Sequence, residues 1–128
     1  KSEVFRPGFL EMLKPGGTIL LAKTRIIPAG SSEADYPTEE QIQTALAGYR
    51  VIEVDVLGIA LELGDATGRA ANVVMMGVLS TLAPFNALPD VLWLKALNKA
   101  NSRPAVWAVN YVAFNAGRAY AAGLEVQA

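Results

Sequence analysis

From Ala70 to Leu79 every side chain except that of Asn72 is apolar, and this stretch limits the fold more than any other. A helix over residues 69–83, which Pro84 cannot continue, is apolar on every side. Such a helix belongs in the middle of a domain or at an interface. A membrane span is the other home for a greasy segment, and here it fails on length. Spanning takes about 18 or more consecutive apolar residues, whereas Asp55 and Glu62 break 51–63 and Asn72 interrupts 70–79. Hydrophobic residues make up 52% of the 128 and mean hydropathy is +0.30. The whole chain therefore faces the same choice: nearly complete burial of its central elements, or apolar surface hidden against a partner.

The segments around this helix read as alternating strands and helices. Arg6-Pro7 can open a short amphipathic helix that ends with Phe9, Leu10 and Leu13, since proline is tolerated in a first turn. Lys14-Pro15-Gly16-Gly17 is a turn: proline presets φ and glycine accepts positive φ. The apolar run 18–22 after it is too short for a helix and reads as a buried strand. Residues 29–37 form a polar loop. Thr38 with Gln41 makes a capping box, and Glu39 and Glu40 suit the first turn of a helix whose stripe is Ile42, Ala45 and Leu46. Gly48 can close that helix. Residues 49–55 alternate as a second strand, and 56–63 read as a short helix ended by Gly64. Residues 89–100 predict an amphipathic helix with Val91, Leu92, Leu94 and Leu97 inward. Pro104 can open a last helix, to about 122, before Gly123.

No repeat, linker or low-complexity segment divides the chain, so one domain over 1–128 is expected. The fold class is α/β: a three-layer α/β/α domain with a mixed, incomplete sheet and a helix-rich C-terminal half. Two strands are few for such a domain, which implies that strands are missing.

The sequence contains neither cysteine nor histidine. Disulfides, iron–sulfur ligation, the usual zinc sites and Ser–His–Asp or Cys–His catalysis are therefore excluded from this chain. The missing cysteines suit a reducing cytoplasm, and no secretory leader is visible at the start. Net charge is −1, but it is segmented. From Glu33 to Asp65 there are eight acids and one base, and elsewhere four acids and ten bases. The acidic block reads as a solvated face. The basic remainder leaves an anionic ligand or partner open. Nucleic acid is not expected, because no basic run is interleaved with aromatics.

Residues 51–80, VIEVDVLGIALELGDATGRAANVVMMGVLS, carry a resemblance. Ala60 to Gly64 matches an Ala-x-x-Leu-Gly helix, followed by Ala71-Asn72 and Met76-Gly77-Val78-Leu79. A second patch, AVNYVAFNAGR over 108–118, shows Asn-x-x-Ala-Phe-x-x-Gly, and the Lys-Pro-Gly-Gly turn before an apolar strand also fits. In order and spacing these resemble the gamma subunit or domain of the 2-oxoacid:ferredoxin oxidoreductases, in its C-terminal two-thirds. The family's Gly-x-Gly-Gly-Gln-Gly loop is not found here, so no site built by that loop is carried over. The resemblance implies an assembly that oxidatively decarboxylates a 2-oxoacid on thiamine diphosphate. Electrons pass through Fe–S clusters to ferredoxin, and the acyl group goes to coenzyme A. This chain would lie near the CoA side among other subunits, inactive and binding no cofactor by itself. Its apolar surface is expected to drive self-association when isolated.

Candidate cofactor contacts are Arg69, Asn72, Thr24 and Arg25; no catalytic or metal residue is assigned. Arg69 and Asn72 open the apolar helix, where free N–H groups and a cation can hold phosphate. Asn72 is read first as a buried amide bonding neighbouring backbone, and second as a contact to cofactor or partner. Thr24 and Arg25, with Lys23, follow the first strand, where α/β sheets gather ligands. Lys95, Lys99 and Arg103 read as a solvated basic edge, and Trp93 and Trp107 as core or interface. Asp55 and Glu62 share no face toward a cleft and make no acid–base pair. Two other readings stand beside the resemblance: a structural or oligomerisation module, and a truncated class I S-adenosylmethionine-dependent methyltransferase. The second shares the Lys-Pro-Gly-Gly turn, but the upstream glycine-rich loop and the acid it needs are missing.

Overall fold

Gly16 takes φ +74° directly after Pro15, and the Gly17 N–H closes the turn on the Lys14 carbonyl at 3.0 Å. Proline first and a positive-φ glycine second are what this turn geometry demands. The computed structural model describes residues 1–24, 27, 29–65 and 67–127, the last three by backbone alone. The described residues form two compact units, Lys1–Asp55 and the chain from Val56 onward.

In the first unit the turn feeds strand β1, Thr18–Ala22, which pairs in parallel with β2, Arg50–Val54; Thr18 lies beside Arg50 and Ala22 beside Val54. Parallel strands need a crossover, and helix α1, Glu39–Leu46, lies on it. The capping box forms as expected: Thr38 Oγ1 accepts from the Gln41 N–H at 3.1 Å, and Gln41 Oε1 accepts from the Thr38 N–H at 2.8 Å. Gly48, at φ +91°, follows the helix end. Ile42 and Leu46 pack with Leu21, Tyr36 and Val4 into a small core. Lys1 Nζ bridges Glu39 at 3.0 Å and Glu53 at 3.4 Å.

The expected helix at 6–13 is absent. Two short 3-10 turns, Ser2–Phe5 and Leu10–Met12, stand in its place. Gly8 lies between them at φ +79°, a conformation that ends a right-handed helix, and Phe9 and Met12 are left exposed.

In the second unit α2 spans Val56–Glu62. Gly64 N–H bonds the Leu61 carbonyl, and Asp65 N–H reaches back to the Ala60 carbonyl, each at 3.0 Å; this double closure is the usual glycine-terminated helix end. Helix α3 covers Ala71–Leu79, shorter at both ends than 69–83. The Asp65 carboxylate holds the chain before it in a turn. After it, the Ser80 and Thr81 hydroxyls donate to the Gly77 and Val78 carbonyls, both at 2.7 Å. Hydroxyls that take carbonyls three residues back compete with the helical ladder.

Helix α4 covers Asp90–Lys99. Its expected inward stripe is only partly inward: Val91 and Leu92 are exposed, while Leu94 and Leu97 are half-buried. Helix α5 runs Pro104–Gln127, through Gly123 rather than stopping before it. A glycine inside a helix costs about 1 kcal/mol, which is not enough to stop one with good formers on both sides. The fold is α/β, with a two-stranded parallel sheet and a helix-rich C-terminal half. Among the described residues no helix is long and apolar enough to cross a membrane.

The centre of the second unit is the contact between α3 and α5. Asn110, Ala113, Phe114 and Gly117 recur at i, i+3, i+4 and i+7, one face of a helix, and all four are buried. On α3, Val74, Gly77 and Val78 are buried too, and Phe114 and Gly117 lie against Val74 and Gly77. Neither Gly77 nor Gly117 has room for a Cβ: one built on Gly77 meets the Phe114 carbonyl, and one on Gly117 meets the Val74 carbonyl. The two backbones are in direct contact because both residues lack side chains.

Candidate functional site

Helix α5 is built of small and apolar residues, and between Pro104 and Leu124 its one charge is Arg118. The register that buries Gly117 against α3 leaves the next residue at the edge of the contact. There the half-buried Arg118 extends Nη1 to Ser80 Oγ, 2.9 Å away. Ser80 is 1% exposed. Its hydroxyl proton is committed to the Gly77 carbonyl, so toward Arg118 the oxygen can only accept. Among the described residues no carboxylate forms an ion pair with Arg118.

Arg118 and Ser80 line a cleft of about 680 Å³ together with Thr81, Asn86, Asp90 and Ala122. Its volume is ordinary for a small-molecule site. Among the described residues the cleft is lined by one guanidinium, one carboxylate and neutral polar groups.

The residues expected from the sequence lie elsewhere. Arg69 and Asn72 are brought to the same turn at the start of α3, and both are exposed. Asn72 is therefore not the buried amide that the sequence suggested first. The turn already holds an anion. Asp65 Oδ2 accepts from the Ala70 N–H at 2.7 Å, while Oδ1 accepts from the Thr67 N–H at 3.2 Å and its hydroxyl at 2.7 Å. A phosphate approaching Arg69 would find the Ala70 donor taken and a negative charge beside it. Thr24 belongs to the first unit and is half-buried; Arg25 lies outside the described residues. Lys95, Lys99 and Arg103 are exposed. Trp107 is partly exposed, its indole N–H donating to the Asn98 and Asn101 carbonyls.

Sequence reasoning missed Ser80 and Arg118 as a pair. A signal was present: no charge occurs between Ala70 and Pro89, and Arg118 is the one charge between Pro104 and Leu124. What the sequence lacks is the 38-residue link between them.

The Ala70 bond first, and the Thr67 hydroxyl second, hold the Asp65 carboxyl below its ordinary value of 3.8. A lowered folded-state value means stability that is present above the unfolded value and lost as pH falls through the folded one. Asp65→Asn is expected to lower the urea midpoint at pH 7, with the gap to wild type closing as the medium is taken below about pH 3.8. A gap of equal size at both ends would show that charge plays no part.

The model of the pyruvate ferredoxin/flavodoxin oxidoreductase family matches residues 1–120. No curated protein and no solved structure matches the chain. The matched span includes β1, β2, the Gly77–Gly117 contact and the Ser80–Arg118 pair. The chain belongs to the pyruvate ferredoxin/flavodoxin oxidoreductase family.

Proposed function

We propose that this chain is a gamma-type component of a 2-oxoacid:ferredoxin oxidoreductase assembly, placed on its coenzyme A side and inactive by itself. The family match over residues 1–120 carries the reading. In such an assembly thiamine diphosphate supplies the decarboxylation chemistry and Fe–S clusters the electron path. A chain without cysteine or histidine offers no thiolate for a cluster, and among the described residues no acidic cluster suits a metal. Both cofactors are accordingly assigned to other subunits. Val109, Tyr111 and Val112 on α5 are about half exposed, and that favours cover by a partner in the assembly. Within the cytoplasm, where we place the complex, the chain would contribute surface to the CoA entrance.

Arg69 and Asn72, both exposed, are the contact we assign to CoA; Thr24 and Arg25 are separate candidates in their own right. Since Asp65 occupies the turn, Arg69 would act through its own charge rather than through helix N–H groups. Arg69→Ala in the reconstituted assembly is expected to raise the KM for CoA about tenfold, the loss of one charge-assisted contact, with the KM for the 2-oxoacid level. An unchanged CoA constant would remove the Arg69 assignment alone. Full CoA-dependent ferredoxin reduction by an assembly lacking this chain would remove the functional reading itself.

A further inference from the structure

We propose that the cleft beside Arg118 binds a small carboxylic acid that also carries an ammonium or hydroxyl group, in preference to phosphate. Three features of the cleft carry this.

The first is a positioned guanidinium. Arg118 Nη1 is held at 2.9 Å by Ser80 Oγ, and Ser80 is buried and itself fixed on Gly77. One donor is thereby committed, and the guanidinium keeps its other N–H groups for a ligand; a carboxylate can take two of them through parallel bonds. Anchoring a long side chain beforehand also removes part of the ordering cost of binding.

The second is the opposite charge in the same cleft. Asp90 lines it and forms no ion pair with Arg118. A ligand with two negative charges would gain at Arg118 and lose at Asp90. A ligand with a single carboxylate and a donor group satisfies both.

The third is the polarity of the remaining wall. Thr81 spends its hydroxyl proton on the Val78 carbonyl, so toward a ligand its oxygen can only accept. The Asp90 carboxylate likewise accepts, while Asn86 offers both donor and acceptor. An anion without a donor, such as propionate, leaves these acceptors unsatisfied.

This proposal does not depend on where the chain sits in an assembly. The test uses the full chain, isotope-labelled, with the Arg118 side-chain N–H and the Asn86 amide followed by NMR during titration. L-Alanine and L-lactate are expected to give saturable shifts in the millimolar range. Propionate should bind several-fold more weakly and inorganic phosphate more weakly still. Arg118→Lys keeps the charge but loses the parallel donors, so the L-alanine affinity should fall while other resonances stay in place. Asp90→Asn should erase the preference for L-alanine over propionate and admit phosphate. Shifts that never saturate, or phosphate binding more tightly than L-alanine, would overturn the proposal. So would an unaltered L-alanine-to-propionate ratio in Asp90→Asn.

Discussion

Gly117→Ala is expected to destabilise the second unit strongly, at or above the upper end of the about 1–3 kcal/mol typical of overpacking. Alanine is the better helix former by about 1 kcal/mol, so propensity alone would make this variant more stable. Packing outweighs it here because the obstacle is backbone. A Cβ on Gly117 overlaps the Val74 carbonyl oxygen and lies 3.0 Å from its carbon and 3.1 Å from the Gly77 Cα. No rotamer change relieves such a contact, so the helices must separate, and the burial of Val74, Val78 and Phe114 suffers with them. Gly77→Ala should behave alike, since its Cβ meets the Phe114 carbonyl. Because either change forces the same separation, the double variant should lose less than the sum of the two. Gly123→Ala lies on the same helix with nothing within 4 Å of its Cβ. It should be neutral or stabilised by up to about 1 kcal/mol. Urea midpoints measured on all four variants decide this, and a Gly117→Ala chain as stable as wild type would show that α3 and α5 are not held this closely.

The local rules were legible wherever one short segment settles its own conformation. The Pro15-Gly16 turn, the Thr38–Gln41 box and the ends at Gly48 and Gly64 all follow from neighbouring residues, and so do both strands. Long-range partners were not legible. Residues 69–83 look like one apolar helix until the Asp65 carboxylate and the Ser80 and Thr81 hydroxyls are seen taking up its ends. The start of α3 drew attention because a cation stands where N–H groups are normally free, yet an acid five residues before Ala70 already fills that place. The spacing Asn110, Ala113, Phe114, Gly117 was visible as a family feature. That Ala113, Phe114 and Gly117 form a packing face, with Arg118 as the polar residue at its edge, required the position of α3.

Phe114→Ala should be the most damaging single change in the second unit, lowering stability by about 3–5 kcal/mol, the usual range for an aromatic lost from a core. The ring is fully buried and also ties α4 to α5. Its centroid lies 6.3 Å from that of Trp93, tilted by 32°, and Trp93 in turn meets Phe85 edge-on at 6.1 Å and 69°. Helix α4 has no fully buried residue, so this aromatic row is a main attachment. Aromatic pairs add about 0.5–1.5 kcal/mol beyond the area they bury; that part falls on α4, while the cavity burdens the whole unit. The loss should therefore be uneven. In hydrogen exchange the α4 amides should lose more protection than those of α3, whose contact with α5 also rests on Gly77 and Gly117. Trp93→Phe is the control. It keeps an aromatic ring in the row and removes an indole N–H that finds no acceptor among the described residues, so its cost should be far smaller. Equal loss of protection along α3 and α4 in Phe114→Ala would show that α4 is held by something other than this row.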